Sequence, residues 1–144
     1  MTEISLLKLN FIATLLMVGI IWIVQLVHYP LMANVGIEES ASYAQLHQNR
    51  ISFVVIPPML LELGTTLLLL KFKLGFHPLH LSAAALLVVI WLSTFLLQVP
   101  IHQKLLEQEN QHLIPLLVNT NWIRTIGWTA RGVLIGLLLQ QKMS

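Results

Sequence analysis

Residues 51–72 read Ile-Ser-Phe-Val-Val-Ile-Pro-Pro-Met-Leu-Leu-Glu-Leu-Gly-Thr-Thr-Leu-Leu-Leu-Leu-Lys-Phe. At a rise of about 1.5 Å per residue, such a run crosses the roughly 30 Å of a bilayer's hydrocarbon. Its interior carries one charge, Glu62. A carboxylate at that depth costs about 2.5–3.5 kcal/mol on insertion scales unless a partner or water meets it. The segment therefore predicts both a membrane helix and a site.

Three further apolar stretches accompany it, at about 5–33, 79–101 and 121–140. Lipid admits only helices or closed barrels, and these continuous Leu/Ile/Val runs lack the alternation of barrel strands. The expected fold is all-α, a single domain over 1–144 forming a four-transmembrane-helix bundle with both termini on the same side. Composition agrees: 10% of the 144 residues are charged and mean hydropathy is +0.79, whereas a soluble domain carries about 25% charged residues. A net charge of +2 offers no nucleic-acid surface, and the lack of cysteine excludes disulfides and thiolate metal sites.

Lys71 to Pro78 reads as a short turn, and Asn34–Arg50 and His102–Thr120 as longer polar connections with helical character on the opposite side. Pro30 and Pro100 each remove a backbone donor and are expected to kink the first and third helices near their ends. Glu3 and the long first run argue against a cleaved signal. Lys8, Lys71, Lys73 and Lys142 outnumber Arg50, Lys104 and Arg124. The expected location is therefore a multi-pass protein of a bacterial inner membrane with cytoplasmic termini.

Helical spacing sorts the polar residues into stripes. Trp22, Gln25 and Tyr29, flanked by His28, share one face. Trp91, Thr94, Gln98 and His102 share another, as do Arg124, Trp128 and Arg131. Counted from the outer side, Glu62 and Arg131 both lie about 15–16 Å deep and are expected to pair. Above them a cavity would open outward, with His28, His47, His102, Arg124 and His112 at its mouth. His77 and His80 flank the opposite turn and are expected to be solvated.

Three readings of these residues stand side by side. A Glu62–Arg131 pair can simply fix helix register. Alternatively, His28, His47, His102 and Glu62 can hold iron, copper or zinc, or His28 and His102 can clamp a haem. In the third, a metal-free pocket walled by Trp22, Tyr29, Trp91, Trp122 and Trp128, with Gln25 and Gln98 among its polar groups, takes an aromatic or quinone-like ligand. Glu62 would then be a general base, with Arg131 or Arg124 holding an oxyanion.

The segments Gln98-Val99-Pro100-Ile101-His102-Gln103-Lys104-Leu105 and Asn121-Trp122-Ile123-Arg124-Thr125 resemble signatures of a family of small four-helix membrane proteins that includes the anthrone oxygenases. That family shows Val-Pro-x-Asn-x-x-Leu at the end of helix 3 and Asn-x-x-Arg-Thr at the start of helix 4. The resemblance implies that Asn121 and Arg124 matter, and it implies aromatic oxidation. His102 replaces the family's Asn, and His28-Tyr29-Pro30, Glu62 and Arg131 are additions, so the chain looks closer to a bacterial branch. The resulting expectation is a membrane-embedded, metal-dependent oxidoreductase acting on a lipophilic aromatic or quinone-like molecule. Its partners would be the bilayer and that molecule, with a homo-oligomer left open. The alternative is a non-enzymatic metal-, haem- or ligand-binding protein or a subunit of a larger membrane complex.

Overall fold

The computed structural model describes residues 2–143, without the side chains of Gln108 and Glu109. It is all-α and contains four helices: α1 (Glu3–Met32), α2 (Ile37–Leu69), α3 (Pro78–Lys104) and α4 (Ile114–Met143). Among the described residues, α1, α2 and α3 are long and apolar enough to cross a membrane. At 30 residues α4 is long enough too, but it carries Asn121, Arg124 and Arg131, all buried. Its polarity faces the bundle, which is the arrangement expected where lipid covers the outside. The outward faces are correspondingly greasy: Phe53, Leu96, Ile23 and Ile126 are exposed at 81%, 67%, 64% and 62%.

Two helices begin before their apolar runs. Gly36 ends the connection after α1, and Glu38 and Glu39 occupy the first turn of α2, where acidic side chains favour the helix dipole. The helical character expected of the Asn34–Arg50 connection is thus continuous with the span, and Pro57 and Pro58 lie inside the helix without ending it. Likewise α4 starts at Ile114 rather than near 121. A 3-10 turn at Lys73–Phe76 joins α2 to α3. Gly75 fits there because a Cβ would collide with the Leu69 carbonyl. Thr2, Glu3, Lys73, His77 and Lys142 line one cleft, so both termini and this turn share an end of the bundle.

Pro30 and Pro100 produce bulges rather than simple bends. Neither can donate to the carbonyl four residues back, and the chain answers with π-turns at Val24–His28 and Thr94–Gln98. The Tyr29 amide donates to the Val24 carbonyl and the Val99 amide to the Thr94 carbonyl. Each π-turn inserts one residue, rotating the helical segment before it by about 100° relative to the segment after it.

The packing order around the bundle is α2, α1, α4, α3: α1 packs on α2 and α4, and α4 packs on α3. Gly127 lets α4 approach α3, its added Cβ position lying 2.9 Å from Ile90 Cγ1. By contrast, the backbones of α2 and α3 approach closely at few points beyond the turn that joins them, although His47 and Gln48 reach His102 at the far end.

Candidate functional site

Two polar centres lie inside the bundle, and they differ in how completely they are satisfied. The deeper one is built around Glu62 and Arg131, both fully buried. Arg131 Nε donates to Glu62 Oε1 at 2.7 Å, the pairing expected from their matching depth. Its NH1 donates to the Ala83 carbonyl at 2.6 Å, and NH2 donates to Asn10 Oδ1 at 3.0 Å and Thr66 Oγ1 at 2.8 Å. One guanidinium on α4 thereby bonds to α1, α2 and α3. Glu62 is equally occupied: Thr14 Oγ1 donates to Oε1 at 2.6 Å and Trp128 Nε1 to Oε2 at 3.0 Å. Asn10 Nδ2 completes the net with bonds to the Glu62 carbonyl, Thr65 and Thr66. Charge and hydrogen bonds are closely matched here, so this centre ties four helices together.

Above it, Gln25 Oε1 accepts from Asn121 Nδ2 at 2.8 Å and from Thr125 Oγ1 at 3.2 Å, while Gln25 Nε2 donates to the Val118 carbonyl. Asn121 Oδ1 in turn accepts from Arg124 NH1 at 3.2 Å. The Arg124 guanidinium lies over the Trp128 ring, 5.2 Å from its centroid, and faces the Tyr29 hydroxyl. Arg124 is 6% exposed, and its Nε has no protein acceptor. Among the described residues no carboxylate reaches it.

Arg124 opens onto a cavity of about 240 Å³ lined by Tyr29, Gln48, Thr94, Gln98 and His102 and by apolar groups including Val24, Ile51 and Val99. Tyr29 Oη and His102 Nε2 are 2.9 Å apart. Gln98 Nε2 donates to Thr120 Oγ1 at 2.8 Å. Three atoms of these wall residues are buried without a protein partner: Arg124 Nε, Gln98 Oε1 and His102 Nδ1. Buried polar atoms are nearly always partnered by protein or ordered water, so these three atoms give the cavity wall unused hydrogen-bonding capacity.

Several expected wall residues are elsewhere. Trp22 faces outward, donating to Thr129 Oγ1 and meeting Trp122 edge-on at 5.7 Å. Trp91 packs beside Phe95 and does not line the cavity. The reason is the pair of π-turns: Trp22 and Trp91 precede them, Tyr29 and His102 come after them, and the inserted residue breaks the shared face. Trp128 is buried against Glu62 rather than the cavity. His80 is not solvated but fully buried, its Nδ1 2.9 Å from the Gly75 carbonyl, while His77 caps α3 by accepting from the Leu79 amide.

The expected histidines do converge. His28 stacks on His47 with centroids 4.1 Å apart, and His47 lies 5.5 Å from His102. Glu62 does not join them. His28 and His47 stack while His102 is tilted to His47, and among the described residues no group of three His, Asp or Glu has the arrangement of a metal site. A haem between His28 and His102 meets His47, which neighbours both.

Asn10, Thr14 and Thr66 are the participants that spacing missed. Asn10 and Thr14 are the polar pair one turn apart within the apolar first run, and that was their signal. Comparison with protein-family models, curated proteins and solved structures finds no match.

Proposed function

We propose that the protein binds the ring of a phenolic or quinone-like lipophilic molecule in the cavity beneath Tyr29 and His102, as a membrane-embedded oxidoreductase. The observation that carries this reading is the buried Arg124, which has no carboxylate partner and faces a cavity whose other orphaned atoms include an acceptor, Gln98 Oε1. A buried charge without a partner is strongly unfavourable. A phenolate or quinone oxygen would accept from Arg124, and a phenol hydroxyl would donate to Gln98 Oε1. A proton released by the ring would pass to the Tyr29 oxygen as Tyr29 hands its own hydroxyl proton to His102 Nε2, 2.9 Å away. Tyr29 and His102 thus take the base role expected of Glu62, whose oxygens are all engaged. The cavity, about 240 Å³, is below the roughly 300–1,000 Å³ of pockets for drug-sized ligands, and so suits a single ring.

The oxidative class of the proposed reaction is supported by the resemblance of residues 98–105 and 121–125 to the anthrone oxygenase signatures. The Lys-rich end carrying the termini is assigned to the cytoplasm of a bacterial inner membrane. The test is a titration of the chain in nanodiscs with a methoxy-substituted benzoquinone and its quinol. Saturable binding that weakens at least about ten-fold in both Arg124→Met and Gln98→Leu supports the reading; binding indifferent to both refutes it.

One observation favours a metal as a second reading. His28 Nε2, His47 Nε2 and His102 Nδ1 are all buried without a protein partner. Neutral imidazoles suit iron, copper or zinc, but His28 would have to turn off His47 to join such a site, and the proton chemistry above does not depend on it. Elemental analysis decides: about one metal per chain, lost in His47→Ala, upholds the site, and a chain that neither retains a metal nor binds added cobalt ends it.

A further inference from the structure

We infer that the ligand is a tailed amphiphile that loads from the bilayer through the seam between α2 and α3, its ring at Arg124 and its tail left in lipid. This rests on the ligand reading above and adds the route and the second half of the molecule. The backbones of α2 and α3 approach each other closely at few points besides their joining turn, and side chains bridge them at the far end, where His47 and Gln48 meet His102. Two polar fastenings cross that seam. Deep in the bundle, Arg131 bonds Glu62 and Thr66 of α2 and the Ala83 carbonyl of α3. At the outer end, Gln48 Nε2 of α2 donates to the His102 carbonyl of α3 at 2.6 Å. Gln48 and Glu62 are 14 residues apart, or about 21 Å along the helix.

The cavity lies between the two fastenings. Its walls there are Ser52 and Val55 of α2 and Thr94 and Val99 of α3, none of them charged. Val99 is 40% exposed, and Ser52, Val55 and Thr94 are half-buried. Around this window stand outward-facing apolar side chains, Phe53, Phe95 and Leu96. A molecule arriving here comes from the hydrocarbon. The interior accommodates one ring, so an apolar chain attached to that ring has its exit through the same window, where the surroundings match it. Polar groups holding the head and lipid receiving the tail together describe a ring bearing an alkyl or isoprenoid chain.

The experiment compares two benzoquinones with the same methoxylated ring, one bearing a decyl chain and one without, on wild-type chain in nanodiscs, with affinities corrected for partitioning into the lipid. The decyl compound should bind at least about ten-fold tighter. Phe53→Trp on one side of the window and Leu96→Trp on the other, both outside the cavity lining, should each reduce that advantage while leaving the tail-less compound's affinity unchanged, with melting temperatures confirming that the variants fold. Equal corrected affinities in the wild type, or Trp variants that weaken both compounds alike, overturn the seam route while leaving the ring site standing. If neither compound binds the wild type, the ring site fails and this inference with it.

Discussion

Arg124 and Arg131 sit seven residues apart on one helix, both buried, yet their surroundings give them different work. Arg131 has a carboxylate, a carbonyl and two side-chain oxygens in bonding range. Arg124 has one amide oxygen, the Tyr29 hydroxyl, an aromatic face and an orphaned Nε. Asn10 exposes the cost structure of the first group. It donates to Thr65, Thr66 and the Glu62 carbonyl and accepts from Arg131. Asn10→Leu takes one of the two acceptors from the buried Arg131 NH2, so unfolding in detergent should show a loss of about 1–3 kcal/mol; an unchanged transition would deny Asn10 its place in the net. Sequence reasoning pairs Glu62 with Arg131 because a charge at known depth in lipid restricts its partner to the same depth. It cannot foresee how fully the pair is bonded, since that depends on Thr66 and a backbone carbonyl, which do not advertise themselves in the sequence, as well as on Thr14.

At the level of the helix, two prolines decide which residues face the cavity. An unbroken helical period describes α4, where Arg124, Trp128 and Arg131 are all buried. It fails on α1 and α3, where π-turns separate Trp22 from Tyr29 and Trp91 from His102. A proline signals a missing donor but does not say whether the helix bends or takes up an extra residue. Pro100→Ala returns a donor for the Leu96 carbonyl and favours the α-helical register, turning His102 away from Tyr29. The expected outcome is a chain of equal or greater thermal stability whose quinone affinity falls at least about ten-fold; unaltered affinity would show that the bulge does not set the site. Gly75→Ala acts on the turn between α2 and α3 instead, where its Cβ meets the Leu69 backbone. Its melting curve should reveal a loss of about 1–3 kcal/mol, and a neutral result would mean the turn relaxes freely.

For the molecule as a whole, composition and periodicity disclosed the fold, and the fold disclosed which end is which. Both termini and the Gly75 turn lie at one end, with Gln45 and Asn49 toward the other. The native chain has no cysteine, so single cysteines at Thr2 and Gln45 report topology directly. An impermeant maleimide should reach them from opposite faces of sealed vesicles, and labelling from one face would contradict the bundle. The larger claim is a division of labour between two polar layers: the deep layer holds four helices together, and the layer above it receives a ligand. Glu62→Gln and Arg124→Met, each assayed for unfolding and for benzoquinone binding, separate the layers in one comparison. Glu62→Gln removes the counter-charge of a buried arginine and should lower stability by about 3–5 kcal/mol. Arg124→Met removes a charge that has no counter-charge, so it should fold at least as stably as the wild type and bind quinone at least about ten-fold more weakly. A stable Glu62→Gln chain, or an Arg124→Met chain that unfolds or binds as the wild type does, would contradict that division.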